Sequence, residues 1–326
     1  MRNRQSRRQF IAAATATVMA AGLRLEAGAQ VTDPRPPTVD TSDPKEIADG
    51  VWLVRDHRIW LVPNIGIIVG RDAVLVIECG LGPANGEKVF ALARRLAGAK
   101  KIYLTMTHFH PEHGYGAQVF KRGSTILYNR AQRDELEEKR TRYIDLFRQT
   151  QSKAVGVALE GTTIVMPNFT YDGPGAELDL GGRTVEFRSV GLAHTRGDQV
   201  VFLPKEKILF AGDLIEERMF PIFPYFPPAD VELDGEHWAD VLGGFKTFAP
   251  RLVVPGHGDP GDLAIALNLQ AQMKRVKAQV SAARLAGKSA DQIIAEYKPT
   301  IEAAYPTWEH PQMLDLQIRY CASSQS

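Results

Sequence analysis

Cysteine is almost missing from this 326-residue chain, with only Cys79 and Cys321 present. Two thiols so far apart in sequence make no disulfide framework, so both are expected to be unpaired and the fold must rest on a buried core. An excess of charge of one sign is missing too. Lys+Arg 39 against Asp+Glu 38 gives a formal net charge of +1, which offers no basic face for nucleic acid. Long apolar runs are absent as well. The stretch Ile11 to Leu23 is shorter than the about 20 residues a membrane span requires, so no stable membrane anchor is expected. What is there fits a folded globular protein, with 44% hydrophobic and 24% charged residues.

The first residues differ from the rest. Ser6-Arg7-Arg8-Gln9-Phe10-Ile11 precedes the alanine-rich stretch, and Ala27-Gly28-Ala29 closes it. A basic start, a short apolar middle and an A-x-A end make a cleavable export signal over residues 1–29. The paired arginines and Phe10 resemble the twin-arginine signal of proteins exported in folded form, which places the mature chain in the periplasm. Removing that segment takes away five arginines and one glutamate and leaves the remainder near −3. Residues 30–45, with Pro34, Pro36, Pro37 and Pro44, read as an extended linker.

From Val51 the pattern turns to short β-rich runs at Val51–Val54, Ile59–Val62, Ile65–Val69 and Val74–Ile77. Helical spacing follows over Gly86–Leu96, then a strand at Lys101–Met106. Residues 129–152 predict a charged helix, either a solvated face or a lid. Further strands are expected at Thr162–Met166, Glu177–Leu180, Thr184–Val190, Gln199–Leu203, Lys207–Phe210 and Arg251–Val254. Residues 261–298 return to helical spacing. Strand-rich blocks with interspersed helices suggest sheets packed on sheets and covered by helices.

One stretch concentrates chemistry: Thr107-His108-Phe109-His110-Pro111-Glu112-His113-Gly114. His108 and His110 leave a strand two residues apart, so both can reach one point. Pro111 breaks the strand, and the turn beyond can bring Glu112 and His113 near a second point. Imidazole and carboxylate are ligands that suit zinc. His194 in G-L-A-H-T-R-G-D, Asp213 in L-F-A-G-D and His257 in V-V-P-G-H-G also lie at strand ends, where a rigid sheet can aim them at a common centre. His57, His237 and His310 have no such setting.

These motifs, in this order, resemble the metallo-β-lactamase-fold hydrolase superfamily over about residues 50–260. V-P-N-I-G-I-I-V-G and V-L-V-I-E-C-G resemble its opening strands. The resemblance implies an α/β fold, an αββα sandwich over residues 46–260. Residues 261–326 would be a helical C-terminal extension that supports dimerisation or shapes the groove, which makes a homo-oligomer one arrangement to test. It also implies one or two metal ions, usually Zn2+. His108, His110 and His194 match the first site, Glu112, His113 and His257 the second, and Asp213 would bridge them. Glu112 and Asp213 become the candidate catalytic carboxylates. Two cations near each other lower the pKa of a shared water, so that it ionises at neutral pH, and polarise a substrate carbonyl.

The sequence departs from the family at two places, with glutamate instead of aspartate at Glu112 and at Glu78 in Ile77-Glu78-Cys79-Gly80. Each extra methylene carries a carboxylate about 1.5 Å farther if the backbone stays put. Glu112 therefore ligates with adjusted geometry, or the centre is mononuclear or takes iron, which imidazole and carboxylate also suit. Glu78, Thr195 and Asp198 are expected to orient the ligands. Trp60, and the aromatic-proline loop Met219 to Pro228 with Phe220, Phe223 and Tyr225, are candidates to line a small-molecule substrate; the loop could equally pack on its own body. The expectation is a periplasmic zinc hydrolase of a cyclic amide, ester or thioester, of β-lactam or lactone type. The alternatives are a mononuclear iron sulfur oxidoreductase, a phosphodiesterase or a sulfatase.

Overall fold

The computed structural model describes residues 33–227 and 230–323, so the export-signal reading lies outside the described residues. Among the described residues, twelve strands form two sheets. The first has seven in the order β1 (Lys45–Ala48), β2 (Val51–Val54), β3 (Ile65–Val69), β4 (Ala73–Ile77), β5 (Lys101–Thr105), β6 (Ser124–Asn129) and β7 (Phe169–Tyr171). The second runs β12 (Leu252–His257), β11 (Ile208–Glu216), β10 (Asp198–Leu203), β9 (Thr184–Gly191) and β8 (Gly175–Asp179).

The sheets pack face to face. Leu53, Ile68, Leu75 and Ile77 of the first meet Val185, Phe187, Val201, Phe210 and Val254 of the second in one buried layer. Approach is close enough that a β-carbon at Gly66 would stand 2.6 Å from the Phe210 ring. Helix α1 (Gly82–Ala97), the short α2 (Pro111–Gly114), α3 (Arg130–Thr150) and α4 (Lys153–Ala158) lie on the first-sheet side. Helices α5 (Gly235–Gly244), α6 (Ala264–Leu285), α7 (Ala290–Ala304) and α8 (Met313–Ser323) build a core against the second sheet. The result is the expected αββα sandwich, with the C-terminal helices forming part of its outer layer.

Three expectations are corrected. Ile59–Val62 is no strand, because His57, Arg58 and Leu61 hold positive φ and curl the ten-residue connection between β2 and β3. Thr162–Met166 forms no ladder; Ile164, Val165 and Met166 instead cover a core cluster as irregular chain. Nor is the described part of the expected extended linker, residues 33–45, detached from the body. Val39 is buried and its N–H donates to Asn85 Oδ1 at 2.9 Å, while Asn85 Nδ2 donates to the Pro37 carbonyl at 2.7 Å and Lys45 already starts β1. Cys79 and Cys321 are both buried and unpaired, as expected.

Candidate metal centre

Parallel pairing decides where the site lies. Strands β4 and β5 run parallel in the first sheet, as do β11 and β12 in the second, so their carboxyl ends share one edge. From that edge come Glu78 after β4, the His108–His113 turn after β5, Asp213 on β11 and His257 on β12. His194 comes from the turn between β9 and β10.

The side chains converge as two groups. One ligand atom from each of His108, His110, His194 and Asp213 lies within 4.8 Å of the others, and the same holds for Glu112, His113, Asp213 and His257. Asp213 belongs to both. His108 Nε2 lies 3.8 Å from Asp213 Oδ2, while His113 Nε2 and His257 Nε2 lie 3.2 and 3.6 Å from Oδ1. The rings of His108, His110 and His194 stand edge to face, with centroids 4.7–5.1 Å apart. Glu112 reaches its group despite the extra methylene, from the first turn of α2.

All seven residues are buried. His108 Nε2, His110 Nε2, Glu112 Oε2, both nitrogens of His113, His194 Nδ1 and Asp213 Oδ1 have no hydrogen-bond partner there. Each orphaned group costs about 1–3 kcal/mol of desolvation. So many unpartnered donors in two groups, with His110 Nδ1 and His194 Nε2 only 3.2 Å apart, fit bound cations, and imidazole with carboxylate is a donor set for a divalent metal such as zinc.

The metal-free electrostatics agree. Burial, together with the neighbouring histidines, holds His108 and His110 well below the ordinary imidazole range and His194 down to about 4, so these rings keep a lone pair at neutral pH. Burial pushes His113 down as well, but the Asp213 and Glu78 carboxylates outweigh it and hold the ring well above that range. Asp213 in turn is held well below the usual carboxylate value by His113 and His257, against its burial.

Supporting contacts fix the donors. Glu78 Oε1 accepts the Thr107 hydroxyl at 2.7 Å and the Thr107 N–H at 3.0 Å, and lies 3.4 Å from His113 Nδ1. Thr195 N–H donates to Asp198 Oδ2 at 2.8 Å and its hydroxyl to Oδ1, closing the turn that carries His194. Glycines of the motifs make room: a β-carbon on Gly256 would fall 1.9 Å from Asp213 Oδ1, and one on Gly212 would fall 2.2 Å from Thr107 Oγ1.

Several supports carried no sequence signal. Asp56 and Asn64 hold the His257 loop: Gly258 N–H donates to Asp56 Oδ2 at 2.7 Å, and Asn64 Nδ2 donates to the Gly258 and Pro255 carbonyls. Glu216, three residues after Asp213, is buried with one unpartnered oxygen, and its other oxygen accepts the Ile222 N–H at 2.8 Å. Helix α3 is more than a solvated face. Its Tyr143 ring stacks on His110 at 5.5 Å, and Gln132 donates to the Met106 carbonyl at the root of the histidine turn.

The aromatic loop divides. Phe220 and Phe223 are buried among the C-terminal helices, against Trp308 and Trp238, so they pack the body of the protein; the cavity that Phe223 borders, with Met273 and Tyr320, holds none of the metal donors. Tyr225 packs on Tyr320. Trp60 is half-buried, its indole N–H donating to Gln151 Oε1 at 2.9 Å beside the end of α3.

Residues 58–257 match the metallo-beta-lactamase superfamily. The chain belongs to that superfamily. A "metallo-beta-lactamase type 2" of Bacteroides fragilis is 34% identical over 86 residues, which span 26% of this chain and 33% of that protein, so the match covers only a third of the relative's length. Among solved structures of the metallo-beta-lactamase fold, a metallo-beta-lactamase from Pontibacter korlensis superposes with a TM-score of 0.56 at 19% identity, covering 70% of this chain and 98% of its own. A stereoselective inverting sec-alkylsulfatase from a Pseudomonas species gives 0.63 at 16% identity, covering 85% of this chain and 49% of its own. At such identities the likeness shows the fold alone.

Proposed function

We propose that this metallo-beta-lactamase superfamily member is a zinc-dependent hydrolase that opens a cyclic amide, ester or thioester of a small molecule, of β-lactam or lactone type, in the periplasm. The observation that carries the reading is the convergence of seven buried donors on two points that share Asp213. A divalent cation bound there supplies Lewis acidity and a water of lowered pKa. The chain's own residues supply the rest. Thr107 has one hydroxyl proton and gives it to Glu78, so His108 Nδ1, 3.1 Å from that hydroxyl, must itself be the donor. That fixes the tautomer and leaves the His108 Nε2 lone pair facing Asp213. Burial of every donor excludes bulk water and strengthens each charge interaction at the centre.

The periplasmic assignment rests on the twin-arginine pattern at Arg7-Arg8. The Bacteroides relative's name supports the β-lactam side of the reading. Sulfate-ester hydrolysis is the second reading, taken from the name of the sec-alkylsulfatase whose fold superposes on 85% of this chain.

A hydrolysis screen of β-lactams, lactones, thioesters, phosphodiesters and sulfate esters, on zinc-loaded protein beside His110→Ala, tests both readings. Turnover of a β-lactam or lactone that the variant loses supports the first, and turnover of sulfate esters alone replaces it with the second. No turnover by the zinc-loaded protein, or equal turnover by the variant, overturns both.

A further inference from the structure

His310 lies in the segment between α7 and α8, far in sequence from every metal donor, yet its ring packs on the Trp60 indole with centroids 4.8 Å apart at 58°. The position is anchored on several sides. Phe220 N–H donates to the Glu309 carbonyl at 3.1 Å and Glu309 N–H to the Arg218 carbonyl at 2.8 Å, tying the segment to the chain that leaves β11. Arg58 Nη1 lies 3.3 Å from Glu309 Oε2. His310 itself holds φ 57, which few non-glycine residues adopt, so the surrounding contacts impose its conformation.

Trp60 is placed just as firmly. Its backbone N–H donates to Asp33 Oδ2 at 3.1 Å and its indole N–H to Gln151 beside the end of α3. The ten-residue connection that carries Trp60 also carries Asp56 and Asn64, which grip the His257 loop. Helix α3 carries Tyr143, which stacks on His110. The Trp60–His310 pair is thus suspended between the elements that hold His110 and His257, on opposite donor groups. Both residues are half-buried. Neither ring nitrogen of His310 has a hydrogen-bond partner among the described residues.

We propose that the His310 imidazole, beside the Trp60 indole, is the substrate-recognition residue of the metal groove and grips a small planar molecule through a carbonyl or carboxylate oxygen. The inference rests on the hydrolase reading and deepens it: the C-terminal extension completes the substrate site. Burial and the nearby His257 keep the ring below its ordinary value, so at neutral pH it offers one N–H and one lone pair. The indole gives an apolar face for a ring, and the imidazole gives direction to one polar group.

Two measurements test it on the full chain. In the first, steady-state kinetics compare wild type, His310→Ala, His310→Asn and Trp60→Leu on the chromogenic substrate that the screen finds, with zinc content and melting temperature measured alongside. KM is expected to rise about tenfold in His310→Ala with kcat within about twofold, and His310→Asn to recover part of the loss. An unchanged KM in a folded, zinc-loaded variant overturns the proposal, as does a loss confined to zinc content or melting temperature. The second needs no substrate. The His310 ring signal, assigned by its loss in His310→Ala, should broaden in the NMR spectrum of cobalt(II)-loaded protein relative to zinc-loaded protein. A ring signal that cobalt leaves unmoved overturns the placement. A wild type that turns over nothing but shows the cobalt effect defeats the hydrolase reading and leaves His310 at the groove.

Discussion

Thr107 is bound twice by Glu78, through its hydroxyl at 2.7 Å and its N–H at 3.0 Å, both on Oε1. The same carboxylate lies 3.4 Å from His113 Nδ1, so one residue braces a donor in each metal group. Glu78 holds φ 69, an unfavourable backbone for a side chain of its kind, and the contacts it makes account for its place there. Glu78→Gln is expected to weaken zinc binding about 10- to 100-fold while the donors themselves remain. Competition with a chromogenic chelator measures it, and an unchanged affinity would remove Glu78 from the centre.

Gly256 admits Asp213. With a β-carbon 1.9 Å from Asp213 Oδ1, Gly256→Ala must displace the carboxylate shared by both groups or push β12 away from β11. Zinc binding should fall by more than tenfold, and overpacking should lower stability by about 1–3 kcal/mol. Chemical denaturation with and without zinc separates the two effects.

Helix α3 is latched by Asp230. Lys139 Nζ lies 2.9 Å from Asp230 Oδ1 and the Tyr143 hydroxyl donates to Oδ2 at 2.5 Å, in a buried cluster that also contains Glu135. Removing one partner of a buried charge network costs about 3–5 kcal/mol when nothing replaces it. Asp230→Ala should therefore cost up to about that much, less whatever the Glu135–Lys139 pair retains, and hydrogen exchange along α3 should quicken before the rest of the fold opens.

Stability of the metal-free protein should depend on pH through His113 and His257. Both are held above the ordinary imidazole value of 6.5 by Asp213, which overrides burial. Groups raised in this way contribute stability that is fully present below 6.5 and is lost as pH climbs through the folded value. Metal-free protein should thus become easier to denature as pH rises above 6.5, once His108, His110 and His194, neutral in the folded state, are mostly neutral in the unfolded chain too, while the stabilisation added by zinc grows over the same window because fewer protons must be displaced. Melting curves with and without zinc across that range read both slopes, and a flat metal-free curve would contradict the charge arrangement.

The ligand positions were legible because strands end where their periodicity ends, and His108, His110, His194, Asp213 and His257 all sit at such ends. Glu112 was legible as a departure, and only coordinates show that α2 still brings it to His113 and His257. What sequence pattern cannot see is a hydrogen-bond partner at long range. Thr162–Met166 has strand composition, yet no strand pairs with it, so it covers the core as irregular chain. Ile59–Val62 failed because Leu61 is buried at positive φ, a choice made by packing and not by propensity. Asp56, Asn64, Glu216 and Tyr143 act across sheets and helices, where spacing along the chain carries no signal. The proline-aromatic loop read equally as a substrate lining or as packing on its own body, and only the fold shows Phe220 and Phe223 buried with the C-terminal helices.

Zinc stoichiometry tests the central claim most directly. Metal-free protein titrated with zinc at neutral pH, with bound metal quantified after gel filtration, should take up two ions per chain, one for each donor group. His257→Ala should keep one, and Asp213→Ala should weaken both, because Asp213 alone belongs to the two groups. A single equivalent in wild type, or two equivalents undisturbed in Asp213→Ala, would contradict a shared-carboxylate centre.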